Sequence, residues 1–411
     1  MDLLVRAARN DHTVIDKLCA SASAGLWAAP RLPLSGLVAD ADVALSRPQL
    51  EKTATLAGIP YLIDPVTPLL QDEQPADNSW ARLSFATPQK RSPSDFEDPY
   101  VQDELVEGVL DFQRANGATM LIPPYFYSAK RADTWFDLNL RLLRRSARYL
   151  KHEGVGLPIV PVFAASLAEY GPQSAWPDGL DRYMTDAAAL NVSCIALSWS
   201  TSQPGKEGYF GLAHLLAATR HAASGVPVVG WRQGLYGPAL VAVGASGYET
   251  GAGQDERCNY PAFMARRRPQ PIDSRGSVAQ GGAYIYFANF GRSLRRKTGR
   301  ALLDNQRLRG VLVCTDTQCC PAGAESMVKQ WREHAVRSRA RELHQLEQMP
   351  ASPAWMLNEV ARRAEQSLAD AQLANTALEA AGIAERLPAE TFRSLRRVAD
   401  ELRDHAAMQV A

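Results

Sequence analysis

The chain has 411 residues, 46% hydrophobic and 22% charged, enough to bury a large core as one barrel with an appendage or as two ordinary domains. No run of about 18 apolar residues occurs, which excludes a helical membrane span and gives no reason to expect a membrane partner. The formal net charge of +1 hides an uneven distribution: residues 257–342 hold 17 lysines and arginines against six acids, so the remainder carries an excess of ten acids.

In chain order, the opening MDLLVRAARNDHTVIDKLCA has an early acid and lacks the charged-then-apolar layout of a secretion signal, so a cytoplasmic location is expected. Short β-rich runs then recur at 34–39, 61–63, 119–122, 158–163, 194–199, 226–230, 244–249 and 310–314. Amphipathic stretches such as 98–116, 133–152 and 208–223 separate them. That alternation predicts parallel βαβ units, and their number predicts an α/β fold closed as a (β/α)8 TIM barrel over residues 1–312. No glycine-rich GxGxxG loop follows the first strand, which argues against a dinucleotide-binding fold. Two long irregular segments, 70–98 and 250–282, follow strand ends, on what would be the catalytic face of a barrel. Residues 313–350 read as a cysteine- and histidine-bearing zinc-binding subdomain near the last strand. Residues 351–411 read as a helical appendage, divided by Gly382 and Pro388, that packs on the barrel or contacts a second copy or another protein.

Three segments could carry chemistry. Of the six cysteines, Cys314, Cys319 and Cys320 fall within seven residues, and His344 follows Cys319 by 25 residues on a predicted helix. Thiolates with one imidazole suit a tetrahedral structural zinc, which Asp316 could complete; ordinary reduced thiols at a strand end are the alternative. In GLYGPALVAVGASGYETGAG, Glu249 stands just past a small-residue turn, at the barrel mouth and exposed enough to act as nucleophile or base. A salt bridge to Arg257 or Arg266 is the competing reading. In YLIDPVTPLLQ, Asp64 ends a strand at the same rim, where Asp-Pro also reads simply as a turn. Tyr248, Trp199 and Gly247 are candidates for the walls of a pocket at that rim. Arg266, Arg267 and Arg268, with Arg292, Arg295 and Arg296, predict a continuous positive face for a polyanion. Arginines balanced locally by acids are the alternative there.

An aspartate after an early strand, an acid after a glycine-and-aromatic turn, and a late cysteine–histidine cluster together resemble the tRNA-guanine transglycosylases. Residues 244–249, GASGYE, align without gaps with that family's Gly-Val-Asp-x-Phe-Asp nucleophile motif, with Glu249 in place of aspartate. The spacing of Cys314, Asp316 and Cys319 matches its Cys-x-Cys-x-x-Cys zinc motif. Residues 61–71 follow its Asp-Ser-Gly-Gly motif in outline. The resemblance, over roughly residues 34–346, implies a base-exchange enzyme acting on tRNA or DNA. Glu249 would form the covalent glycosyl-enzyme, Asp64 would accept a proton from an incoming purine-like base such as a 7-deazaguanine, and zinc would be structural. Two other readings stay open: a barrel that has lost its chemistry and grips nucleic acid within a larger complex, and an unrelated barrel enzyme that clamps a small phosphorylated substrate with Arg266–Arg268.

Overall fold

The computed structural model describes residues 1–20, 31–75, 78–130, 133–170, 178–190, 192–253, 257–268 and 283–408; the rest of the 250–282 segment lies outside them. Seven strands form one parallel sheet: β1 (Asp2–Ala7), β2 (Gly36–Asp40), β3 (Tyr61–Asp64), β4 (Val162–Ser166), β5 (Ile195–Ser200), β6 (Val228–Gly230) and β7 (Gly247–Gly251). Their order is β3-β2-β1-β7-β6-β5-β4. The edge strands β3 and β4 are both bridged by residues 119–128. Thr119 N donates to Tyr61 O at 2.9 Å, Ser128 N to Ala164 O at 2.9 Å, and Ser166 N returns to Ser128 O at 2.9 Å. The sheet therefore curls until its two edges share one segment, with polar backbone groups satisfied on both sides.

Each strand alternates between two apolar environments, as a pleat of period two requires. Val38, Leu62, Val162, Ala164 and Ala196 pack in an inner cluster with Tyr125, Tyr127, Trp231 and Tyr260. Their neighbours Leu37, Ala39, Ile63, Phe163, Leu197 and Trp199 pack outward with helix residues. That outer layer contains α1 (His12–Ala20), α2 (Ala41–Ser46), α3 (Gln49–Ala57), α4 (Pro99–Ala115), α5 (Thr134–His152), α6 (Asp178–Ala189), α7 (Tyr209–Ala223) and α8 (Gly237–Ala242). The short α9 (Tyr260–Arg266) follows β7. Sequence chemistry sets several starts: Asp98 accepts from Tyr100 N ahead of Pro99, and Asp133 accepts from Trp135 N.

Beyond the sheet, the antiparallel hairpin β8 (Tyr284–Phe287) and β9 (Arg292–Arg295) leads into α10 (Arg296–Asp304), α11 (Gln306–Leu312) and α12 (Ala324–Lys329). The long helices α13 (Trp331–Glu347), α14 (Pro353–Ala380) and α15 (Ala389–Met408) follow. The strand expected at 310–314 is not formed. Asn305 caps α11 through Arg307 N and Leu308 N, and Leu308 and Leu312 bury one helical face. The sheet instead gains β1, which sequence reading passed over. The hairpin, α10–α12, α14 and α15 share one core that includes Leu308, Leu312, Cys319, Cys320, Ala374 and Phe392. The division at 312/313 runs through that core. No described helix is long and apolar enough to cross a membrane.

Candidate active site and metal centre

At the carboxyl ends of the sheet strands, five charged side chains meet inside the curl. Arg6 comes from β1, Asp40 from β2, Asp64 from β3, Glu249 from β7, and Arg232 from the turn after β6. Arg6 Nε donates to Glu249 Oε1 at 2.9 Å, and its NH1 lies 2.5 Å from Asp40 Oδ1 and 2.9 Å from Asp64 Oδ2. Arg232 NH2 reaches Asp40 Oδ1 at 3.1 Å and Asp64 Oδ2 at 3.3 Å. Arg267, at the end of α9, adds a third guanidinium at 3.0 Å from Asp40 Oδ2. Three cations thus face three carboxylates, and buried charges persist only when paired in this way. Burial alone would push the Asp40 carboxyl up, but Arg232, Arg6 and Arg267 overcome it and hold it at about 2. Burial raises the Tyr125 hydroxyl far above its usual range, reinforced by Asp64, so it stays a donor, to Asp64 Oδ1 at 2.9 Å.

Backbone amides complete both candidate acids. Val66 N donates to Asp64 Oδ1 at 2.9 Å, and Arg232 N donates to Glu249 Oε2 at 2.7 Å. Val66 (φ 52°) and Arg232 (φ 57°) are the two non-glycine residues with left-handed backbone among the described residues. A β-branched valine there is disfavoured by its own side chain, and such strain concentrates at functional sites. Sequence reasoning singled out two members of the cluster, Asp64 and Glu249; both are salt-bridged to Arg6, so the competing salt-bridge reading of Glu249 holds, with Arg6 in place of Arg257 or Arg266. It missed Arg6, Asp40 and Arg232. The expected exposure is corrected: Asp64 and Glu249 have 0% accessible surface.

The proposed pocket walls are corrected by the pleat. Tyr248 neighbours Glu249 in the strand, so it faces the opposite way, against Gly237 of α8. Trp199 likewise packs in the helix-facing core, edge-on to Phe163. Gly247 serves strand pairing, since a Cβ there would fall 2.2 Å from Asp2 O. Besides Tyr125, the aromatic rings against the charged cluster include Trp231 beneath Arg6, and Phe263, which lies under both Arg232 and Arg267. The expected positive face is broken up as well. Arg267 belongs to the cluster, Arg268 pairs with Asp72 at 2.8 Å, and Arg266 Nε turns back to Ala262 O. Arg292 is buried, donating to Gly205 O; Arg295 and Arg296 stand exposed, with no such tie among the described residues.

Cys314, Cys319, Cys320 and His334 bring four donor atoms within 4.8 Å of one another. Cys319 and Cys320 Sγ are 3.7 Å apart and lie 3.4 and 3.3 Å from His334 Nδ1. A metal with bonds of about 2.0–2.3 Å places tetrahedral donors about 3.4–3.8 Å apart, so these spacings fit one ion. His334 Nε2 donates to Tyr286 O at 2.9 Å, which leaves Nδ1 free to ligate and fixes the ring. The Cys314 thiol is drawn far below its usual range by hydrogen bonds from Cys319 and then Cys320, while Cys319 is pushed up to about 12 by Cys314. The imidazole is His334 and not His344. The two are ten residues apart, roughly 15 Å along a helix axis, and His344 Nδ1 lies beside Glu347 instead. Asp316 is not a donor to this group: it caps Gln318 N and Cys319 N and pairs with Arg341, aiming the cysteine turn.

No protein-family model and no curated protein matches the chain. Among solved structures it is similar to a thiamine phosphate pyrophosphorylase from Pyrococcus furiosus at 8% identity, covering 64% of this chain and 91% of that one, with a TM-score of 0.31. A 3-dehydroquinate dehydratase from Geobacillus kaustophilus matches at 11% identity over 64% and 90%, TM-score 0.34. The carboxyl transferase domain of Rhizobium etli pyruvate carboxylase matches at 13% identity over 98% and 62%, TM-score 0.36. Likenesses this weak assign no activity.

Proposed function

We propose that the curled sheet is an eight-membered (β/α)8 barrel, with residues 119–128 as its remaining stave, and that the protein is a nucleic-acid base-exchange transglycosylase. The observation that supports this most is the convergence of Asp64 and Glu249 on Arg6, each carboxylate held by the amide of a left-handed non-glycine residue. In this reading the Glu249 carboxylate bonds to the sugar C1′ as the C1′–N bond to the purine breaks, and the purine leaves as its anion and takes a proton from solvent water. Asp64 then accepts the proton of an incoming base, whose nitrogen attacks C1′ and releases Glu249. Nucleic acid entering the site must separate Glu249 from Arg6 before attack. The test is capture of nucleic acid on a denaturing gel: wild type forms an adduct, Glu249→Gln does not and still binds. A wild type that binds but forms no adduct contradicts it.

The complete pairing of both buried carboxylates favours a second reading, a barrel without chemistry that serves as a nucleic-acid-gripping subunit. Binding without base exchange under any substrate would then be the outcome. In either reading we infer a structural zinc: three sulfurs and one imidazole suit that ion, and four protein donors leave no open position for catalysis. Elemental analysis should find one zinc per chain.

A further inference from the structure

The metal centre stands beside the end of the sheet that holds the charged cluster. Gly253, two residues past β7 with φ +101°, lies so close to Trp331 that a Cβ would come within 2.6 Å of its ring. Trp331 begins α13, one turn ahead of His334. On this same module, β9, α10 and α11 lead to Cys314. Their apolar side faces inward through Leu294, Leu302, Leu303, Leu308 and Leu312. Their other side exposes Arg295, Arg296, Lys297, Arg300, Arg307 and Arg309, with Asp304 the single acid between residues 295 and 312. Elsewhere in the basic block the cations have partners: Lys329 with Glu325, Arg332 with Asp11, Arg341 with Asp316. No ion pair joins these six to an acid among the described residues. Arg300 and Arg309 also line a hollow of about 340 Å³ with Lys329, Asp304 and Glu325.

We propose that these six cations form the surface that grips a nucleic-acid phosphate backbone, positioned by the Cys₃His centre next to the charged cluster. This deepens the base-exchange reading by naming where its polymer is held. Five of the six are arginines, whose planar fork matches phosphate oxygens in pairs. The apolar residues of α10 and α11 are buried apart from half-buried Ala301 and exposed Val311, so the face offers charge to a polyelectrolyte and little to insert into lipid. Six cations over the end of β9 and two short helices exceed what one small anion needs and suit a run of phosphates.

The test is the binding of labelled tRNA and of duplex DNA by Arg296→Glu/Arg300→Glu/Arg307→Glu, over a salt series. Affinity for one of the two should fall at least about tenfold at low salt, and the slope of log K against log salt should shrink by roughly two to three. Retained zinc and an unchanged unfolding midpoint establish that the variant is folded; Arg296→Gln/Arg300→Gln serves if the triple reversal does not fold. Unchanged affinity and slope overturn the proposal, as does wild-type binding to phosphatidylserine vesicles in place of nucleic acid. An intact salt-dependent surface without any covalent adduct would count against base exchange alone.

Discussion

Arg6 is the residue on which the inner cluster depends, because its guanidinium touches all three buried carboxylates. Arg6→Met should destabilise the fold by about 3–5 kcal/mol, since it strands buried charge rather than merely removing a contact; denaturant unfolding measures this. Asp40 gives the cluster a pH signature. Its native value of about 2 lies below the unfolded value of about 3.9. Its contribution, roughly 2 kcal/mol, is therefore fully present above about pH 4 and lost as pH falls toward 2. Urea unfolding across that window should show a steeper acid loss in wild type than in Asp40→Asn. Arg6 was not legible because DLLVRA holds three apolar residues between two charges, and an arginine in a strand gives no sign in sequence of facing inward. Tyr248 was misassigned by nearness in sequence: consecutive strand residues cannot share a face, so a Glu249 that points inward already sends Tyr248 outward, and on β5 the same alternation turns Trp199 to the helices.

At the scale of elements, β1 and β7 bring Arg6 to Glu249, and their pairing depends on Gly247 opposite Asp2. Gly247→Ala would push a methyl into the Asp2 carbonyl at 2.2 Å, so the strands must part; a loss of roughly 2–4 kcal/mol is expected from thermal unfolding. His334 meets the cysteine loop whereas His344 lies beside Glu347, which separates the two histidines cleanly. His334→Ala should lose the metal and lower the unfolding midpoint, whereas His344→Ala should keep one metal per chain by elemental analysis. The cysteine cluster was legible because three thiols in seven residues are rare outside metal sites. Its histidine was not, because two imidazoles lie on one helix and spacing alone does not say which turn meets the loop. The false strand at 310–314 has a related cause: a short apolar run lacks a period long enough to separate strand from helix, and the Asn305 cap decided it.

For the whole molecule, the strand–helix alternation was readable because each buried strand is an apolar run bounded by polar helices. How the sheet closes was not, since residues 119–128 pair with both edges through scattered bridges rather than one regular strand. The basic block was visible as a count, but only folding shows which of its arginines are neutralised by acids from distant segments, as Arg267 is by Asp40 and Arg268 by Asp72. The cations from Arg295 to Arg309 stay exposed and without an ion pair among the described residues. Base exchange as proposed requires Glu249 to become bonded to sugar. Wild-type protein incubated with tRNA or duplex DNA, denatured, digested with nuclease and protease and weighed by mass spectrometry, should carry a pentose phosphate on the peptide bearing Glu249. An unmodified peptide from protein that demonstrably bound the nucleic acid, or an adduct on a different residue, would contradict it.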